Sequence, residues 1–314
     1  MADPAPTPPG DTQQPVLVYD RIAHNKRETW LLMLIFVVLL GAFATVVGLA
    51  LGMPVWGLAI IFGALIAYAL FSYYASPGLA LAVSQAHEVS KQEEPDLYDV
   101  VENLSIGSGL PMPKVYVVED SAPNAFATGR DPKHASVTAT RGLLNKLDKT
   151  ELEGVIAHEM SHVGNYDIRV MALTVVLVGL VALLADFFLR WTWWGAGARQ
   201  NNRDRGGGAY AILFAIALLL AILAPIAARL IQLAISRERE YLADASGALL
   251  CRNPDALARA LEKISSDREP LEEANKATAH LWITNPLMEH DSWLNRLFDT
   301  HPPIEERIRL LRAM

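Results

Sequence analysis

Two long stretches of the chain are apolar and carry no charged side chain. No Asp, Glu, Lys or Arg occurs from Thr29 to Ala86, and none occurs from Gly206 to Ala228. A helix of about 20 apolar residues matches the thickness of the hydrocarbon core of a bilayer. The pattern therefore predicts an integral membrane protein.

Four transmembrane helices are predicted from this pattern, at about residues 30–51, 55–74, 170–189 and 209–233. The first two form a hairpin, because Gly52 to Pro54 is typical of a tight turn. Arg21, Lys26 and Arg27 precede the first span. The positive-inside rule then places the N-terminus, and everything from residue 75 onward, in the cytoplasm.

The loop between the third and fourth predicted spans conflicts with this orientation. It contains Arg190, Arg199, Arg203 and Arg205 and would lie on the far side of the membrane. Short loops rich in arginine normally stay in the cytoplasm. The alternative is that spans three and four are partly re-entrant or docked on protein.

The segments outside the spans predict a mainly helical α+β domain with a small β-sheet. Helical periodicity and stop signals predict helices at residues 94–111, 140–147, 148–167, 253–264, 270–283 and 302–314. Short runs rich in β-branched residues predict strands at 114–120, 122–129 and 135–140. Asp148 or Thr150 could cap the helix at 148–167.

The chain divides into five predicted segments. They are a disordered, proline-rich leader (1–28), a transmembrane hairpin (29–75), the first part of a catalytic domain (76–169), a second hairpin (170–233) and the second part of that domain (234–314). The leader lacks a basic region directly before an apolar one, so it does not read as a signal peptide.

Composition indicates which classes of partner this protein binds. Hydrophobic residues make up 52% of the chain, and the formal net charge is −7. The acidic balance and the lack of a basic run argue against nucleic acid and leave the lipid bilayer as the predicted partner surface. The single cysteine, Cys251, cannot form an internal disulfide, which fits a reducing compartment.

The sequence His158-Glu159-Met160-Ser161-His162 carries the clearest chemical signal. His158 and His162 are four positions apart and share one face of the predicted helix, where they can bind Zn²⁺. Glu159 lies beside them and can act as the general base toward the attacking water. A hydrolytic zinc site is therefore predicted just before the third span.

A catalytic zinc needs a third protein ligand. Glu238, Glu240 and Asp244 follow the fourth predicted span, and a transmembrane hairpin would return them to the level of the histidines. We favour Glu240 as the ligand, because Asp244 lies one turn further on the same face. There Asp244 can hold the second nitrogen of a ligand histidine.

Five ordered blocks of sequence resemble the HtpX-type membrane zinc metalloproteases. The blocks are "LSIGSGLPMPKVYVVED", "PNAFATGRDPKHASV", "ELEGVIAHEMSHVGNYDIR", "SREREYLADASGALL" and "THPPIEERI". This family belongs to the gluzincin class and is related to the CAAX prenyl endopeptidases. The resemblance covers most of residues 20–314.

The resemblance implies several roles for residues of this chain. Zinc would be bound by His158, His162 and Glu240, with Glu159 as the base. His301 would lie near the active site and stabilise the oxyanion. A substrate would pair with an edge strand formed by Asn124, Ala125, Phe126, Ala127 and Thr128, which is physically reasonable for an extended peptide.

The predicted function is a zinc-dependent endopeptidase of the bacterial inner (plasma) membrane, with its active site in the cytoplasm. Its polypeptide substrates would be membrane or misfolded proteins, and quality control is what the resemblance implies. Two alternatives stay open: a non-hydrolytic scaffold or regulator that retains zinc, and a CAAX-type processing protease. The retained Glu159 argues against the scaffold.

Overall fold

The computed structural model describes residues 54–176, 237–267, 269–271, 278, 281–284 and 302–314, together with single positions between 27 and 45. Most of the first predicted span, the third beyond residue 176, the whole fourth span and the arginine-rich loop lie outside the described residues. His301 lies outside them as well.

Helix α1, Val55–Val83, is the one described helix that is long and apolar enough to cross a membrane. Its 29 residues span about 43 Å, and most of its large apolar side chains are exposed. The helix continues nine residues past the predicted end of the second span at 74. These last turns include the buried Ala80 and Leu81, which pack in one cluster with Val118 and Phe126 of the sheet.

The strands form one four-stranded mixed sheet. They are β1 (His87–Glu88), β2 (Lys114–Val118), β3 (Ala125–Gly129) and β4 (Ala135–Thr140). The order is β1-β2-β4-β3, with β2 and β4 parallel and the other two pairs antiparallel. The three predicted strands are confirmed, the first two each shorter at one end and the third with the predicted bounds. Strand β1 has only two residues, too few to produce a periodic pattern.

The polar turn between β3 and β4 holds the sheet edge in place. The carboxylate of Asp131 accepts hydrogen bonds from the backbone N–H groups of Lys133 and His134. These bonds begin a short 3-10 turn, Pro132–His134, that leads directly into β4. The local bonding of an Asp side chain to its own backbone explains why the chain reverses here.

Six further helices complete the described fold: α2 (Pro95–Ser108), α3 (Arg141–Lys146), α4 (Lys149–Gly164), α5 (Arg237–Cys251), α6 (Pro254–Ser266) and α7 (Ile304–Leu311). Helix α2 ends at Gly109, whose φ of 70° suits the left-handed cap. Asp148 and Glu151 form a reciprocal capping box at the start of α4. Residues 167–176 are also helical.

The prediction of a helix at residues 270–283 is wrong at the C-terminal end. Trp282 and Ile283 are not helical and instead run beside strand β3. The reason is long-range packing: the fully buried Trp282 ring contacts Phe126 edge to face, with 4.7 Å between ring centres. Aromatic burial of this kind outweighs a weak local helical preference.

Helix α4 lies at the centre of the domain, where two glycines permit close packing. A Cβ atom at Gly154 would lie 2.7 Å from the backbone nitrogen of Leu257 in α6. A Cβ atom at Gly247 of α5 would lie 2.9 Å from the backbone nitrogen of His158. The backbone of α5 therefore contacts that of α4 directly at the His-Glu-x-x-His segment.

Substitution of Gly247 tests this contact. We expect Gly247→Ala to destabilise the fold by about 1–3 kcal/mol, because neither helix backbone can yield without moving α5 away from α4. The bound metal should fall in parallel, measured by metal analysis beside the melting temperature. Gly107→Ala is the control, since its added Cβ would meet only the Leu250 side chain at 3.7 Å. Equal behaviour of the two variants would contradict the prediction.

Candidate metal centre and active site

Three candidate ligands meet between α4 and α5. The Nε2 atoms of His158 and His162 are 3.2 Å apart. Oxygens of the Glu240 carboxylate lie 3.8 Å from Nε2 of His158 and 3.6 Å from Nε2 of His162. All three side chains are buried, and their ligand atoms lie within 4.8 Å of one another.

These distances fit a tetrahedral metal shell. Zinc binds nitrogen at about 2.0–2.1 Å, so neighbouring ligand atoms of a tetrahedron are about 3.3 Å apart. The two histidine nitrogens, 3.2 Å apart, match that value, and the nearer Glu240 oxygen lies 3.6 Å from His162 and the other oxygen 3.8 Å from His158. The three candidate ligands come from two helices, so their arrangement depends on the close contact of α4 with α5.

Asp244 contacts the second nitrogen of His158. Its Oδ1 lies 2.9 Å from His158 Nδ1, so the ring presents Nε2 toward the other ligands. Asp244 is itself held by Arg307 of α7, whose Nε and Nη2 donate over 2.8 and 2.7 Å. Sequence analysis had placed Asp244 but had not identified Arg307, which is 63 residues away along the chain.

Asp167 contacts the second nitrogen of His162, as Asp244 does for His158. Sequence analysis had not identified Asp167. Its Oδ2 lies 3.0 Å from His162 Nδ1, and Arg239 of α5 lies 3.9 Å from its other oxygen. The five-residue spacing does not fit a helix face. The chain turns at Tyr166, whose φ is 62°, and this turn brings Asp167 back to the histidine. The ion pair with Arg239 gives α5 a second contact beside the site.

Glu159 is fully inside the domain. Burial raises the pKa of its carboxyl group, although the neighbouring histidines act in the opposite direction. The backbone N–H of Ala127, in strand β3, faces this carboxylate and acts to lower its pKa. The candidate base is therefore fixed between the two histidines and the edge of the sheet.

The charges around the histidines are strongly coupled. Burial alone would raise the pKa of Asp244, but the Arg307 guanidinium lowers it to about 2. Burial lowers the pKa of His162, yet Asp167 and Glu240 bring it to about 9 in the metal-free arrangement. A metal ion would have to displace this proton, because only the neutral ring binds metal.

The predicted substrate strand lies at the edge of the sheet. Strand β3 pairs with β4 on one side only, and all five of its residues are buried. Asn124 precedes it and bonds to Thr140 of β4 through its backbone. Of the residues named for substrate pairing, Ala127 lies beside the Glu159 carboxylate.

The fold and site together point to a class of protein: a metallopeptidase, with His-Glu-x-x-His on a buried helix and a third candidate ligand on a neighbouring helix. The chain belongs to peptidase family M48, whose model matches residues 91–314. It is 50% identical over 298 residues to a protease HtpX homolog of Tropheryma whipplei (strain TW08/27), covering 95% of this chain and 99% of the relative.

Other relatives agree with this assignment. A protease HtpX homolog of Listeria monocytogenes serotype 4a (strain HCC23) is 45% identical over 311 residues, covering 95% of this chain and 100% of the relative. The solved structure of S. mikatae Ste24p matches with a TM-score of 0.47 and 17% identity. That match covers 93% of this chain and 66% of the other.

The predicted function, a membrane metalloendopeptidase of the type that acts in protein quality control, is confirmed at the level of the family. The chain is a hydrolase whose substrates are polypeptides, and the family implies a metal ion. Neither the non-hydrolytic scaffold nor the CAAX-type processing protease is favoured by these relatives.

Loss of the Asp167 charge should weaken metal binding. We expect Asp167→Asn to lower zinc affinity about 10- to 100-fold, because the carboxylate orients His162 and increases its basicity. Competition with a chromogenic chelator measures the affinity. Asp131→Asn is the control, since that carboxylate bonds to His134 on the surface at 2.7 Å. Equal zinc affinity in both variants would show that Asp167 has no part in the site.

Proposed function

We propose that this protein is an integral membrane zinc endopeptidase in which His158, His162 and Glu240 bind the metal. The observation that carries the proposal is that one ligand atom from each of these three buried side chains lies within 4.8 Å of the others. A donor set of two imidazoles and one carboxylate, with room for a water, is the zinc site of hydrolytic enzymes. The carboxylates on both Nδ1 atoms support the same assignment.

Glu159 is the proposed general base. Zinc, when bound, supplies a Lewis acid that polarises the scissile carbonyl and makes water more acidic. Glu159 then accepts a proton from the attacking water and delivers it to the leaving amine. Burial supports this role, because the raised pKa of Glu159 lies closer to working pH. His301, outside the described residues, is proposed to stabilise the oxyanion.

Strand β3 is the proposed substrate-pairing edge, formed with Asn124 by Ala125, Phe126, Ala127 and Thr128. An extended peptide can add to a free sheet edge through backbone hydrogen bonds. Support comes from the backbone N–H of Ala127, which faces the Glu159 carboxylate, because it places the edge beside the candidate base. Recognition through the backbone suits an enzyme that must accept many unfolded sequences.

The protein is proposed to cross the inner membrane four times, with residues 76–169 and 234–314 forming one catalytic domain in the cytoplasm. Helix α1 supports one crossing. The helix at 167–176 begins at Asp167, which contacts His162, and becomes apolar at Val170. The zinc site would thus lie close to the membrane surface, where the substrates, membrane or misfolded proteins, are within reach.

Removal of the metal tests the enzymatic proposal. The purified protein in detergent should hydrolyse casein with one zinc per chain, since a chain that binds one ion at three protein ligands has one reactive centre. A zinc chelator should abolish hydrolysis, and added zinc should restore it. Full hydrolysis by protein shown to be metal-free would overturn the assignment.

Cysteine labelling tests the topology. With Cys251→Ser as the background, Lys91→Cys reports on the catalytic domain and Arg199→Cys on the arginine-rich loop. Under the four-span arrangement, a membrane-impermeant maleimide labels Lys91→Cys only in inverted vesicles and Arg199→Cys only in right-side-out vesicles. Labelling of both from the same side would favour re-entrant or docked third and fourth spans.

A further inference from the structure

The backbone polar groups of alternate residues in β3 point away from β4. The carbonyl of Asn124 accepts a hydrogen bond from the Thr140 N–H group in β4. In an antiparallel pair the polar groups alternate in direction, so Asn124, Phe126 and Thr128 face β4. The N–H and C=O groups of Ala125, Ala127 and Gly129 therefore point away from the sheet, which is where a substrate strand would bind.

Two of these outward groups already have partners. The N–H of Ala127 faces the Glu159 carboxylate. The carbonyl of Ala125 accepts a hydrogen bond of 3.0 Å from the N–H of Ile283. Since these positions are two residues apart on one edge, Ile283 lies about 7 Å along the strand from the group that contacts the candidate base.

The residues next to Ile283 follow the same edge. The Asn124 side chain donates to the Thr284 carbonyl over 3.1 Å and accepts from its N–H over 3.4 Å. The Asn124 side chain thus bonds to both backbone polar groups of Thr284, as the backbone of a neighbouring strand would. The carbonyl of Ile283 accepts in turn from Arg307 over 3.2 Å. Residues Leu281–Thr284, called here the docked segment, therefore occupy the Ala125 end of the cleft.

One buried polar group of the docked segment lacks a hydrogen bond. The Trp282 ring is fully buried against Phe126, but its indole N–H has no hydrogen-bond partner among the described residues. A buried N–H group without a partner costs free energy. Part of the stabilisation from ring burial is thus lost, which favours a segment that can be exchanged for another peptide.

The other end of β3 lies beside α1 and the helix at 167–176. A Cβ atom at Gly129 would lie 2.8 Å from the Ile168 side chain, in the helix that continues to residue 176. The next residue, Arg130, lies over the Tyr74 ring of α1. A peptide that leaves the bilayer would therefore meet Gly129 first and the docked segment last.

We propose that the docked segment, Leu281–Thr284, is a built-in occupant of the substrate cleft that a bound polypeptide must displace from Ala125. The proposal rests on substrate pairing along β3. A peptide confined to Ala127 and Gly129 can bind without displacing the segment, whereas a chain that extends to Ala125 competes with Ile283 for the same carbonyl. The enzyme is thus restrained in the absence of a long unfolded chain.

Hydrogen exchange on the full-length protein tests displacement directly. Zinc-loaded Glu159→Gln protein, which holds substrate without cleaving it, is compared with and without denatured casein. We expect exchange at the Ile283 amide to accelerate while exchange at Gly129 slows. Slower exchange at Gly129 with unchanged Ile283 would overturn displacement but leave pairing along β3 intact. No change along β3 would reject the pairing and the displacement together.

A proline substitution gives a second readout. Ile283→Pro removes the N–H donor to Ala125, and we expect kcat/KM for casein to rise roughly 2- to 10-fold, the worth of one net hydrogen bond. Val89→Pro is the matched control, because it removes a 3.0 Å bond to Val115 at the opposite edge. Unchanged or lower kcat/KM in folded, zinc-loaded Ile283→Pro would overturn the proposal. If that variant does not fold, the exchange experiment decides.

Discussion

Glu159→Gln should abolish peptide hydrolysis and leave the metal in place. General acid–base catalysis contributes about 10²- to 10⁴-fold to the rate, and glutamine cannot accept the proton. The substitution keeps the shape of a side chain that is buried between the histidines and Ala127. Casein hydrolysis and zinc content, measured on the same sample, report the two properties separately.

Glu240→Gln is the matched comparison for Glu159→Gln, because both remove one buried carboxylate charge from neighbouring positions. Loss of a ligand should reduce zinc content as well as activity, whereas loss of the base should reduce activity alone. Zinc retention in both variants would argue against Glu240 as a ligand. Undiminished hydrolysis by zinc-loaded Glu159→Gln would argue against Glu159 as the base.

Arg307→Met should cause the largest loss of stability among single substitutions near the site. Arg307 is almost completely buried and donates two hydrogen bonds to Asp244. Its removal leaves a buried carboxylate without its cation, which costs about 3–5 kcal/mol. A lower melting temperature and weaker zinc binding should appear together, because Asp244 also holds His158.

Arg309→Met controls for the loss of an arginine from the same helix. Arg309 pairs with Glu306 on the surface, and solvent screens that ion pair. We therefore expect little change in melting temperature. Similar melting temperatures for Arg307→Met and Arg309→Met would contradict the importance assigned to the buried pair. The double variant Arg307→Met, Asp244→Leu should recover part of the stability, because Asp244 is then no longer a buried charge without its arginine.

The sequence predicted the centre of the site because that part depends on local geometry. His158 and His162 share a helix face through their spacing alone, and Glu240 with Asp244 repeats the same spacing on α5. The structure brings these four side chains together as that reasoning expected. The three main strands were also predictable, since each is a short run rich in β-branched or small residues.

The parts that sequence reasoning missed depend on long-range contacts. Asp167 reaches His162 only through the left-handed turn at Tyr166, which has no periodic signal. Arg307 reaches Asp244 from a helix far along the chain. Residues 281–284 lie beside β3 because Trp282 packs on Phe126, and no local pattern identifies that partner.

The carboxylates and arginines around the histidines determine the net charge of the site. Among the described residues, the groups that face the histidines include the four carboxylates of Glu159, Asp167, Glu240 and Asp244. Two guanidinium groups, those of Arg239 and Arg307, lie against them. Counted over these six described groups alone, the formal charge is −2, which one divalent cation would balance. A metal ion held at this site would therefore be favoured by its charge as well as by its shape.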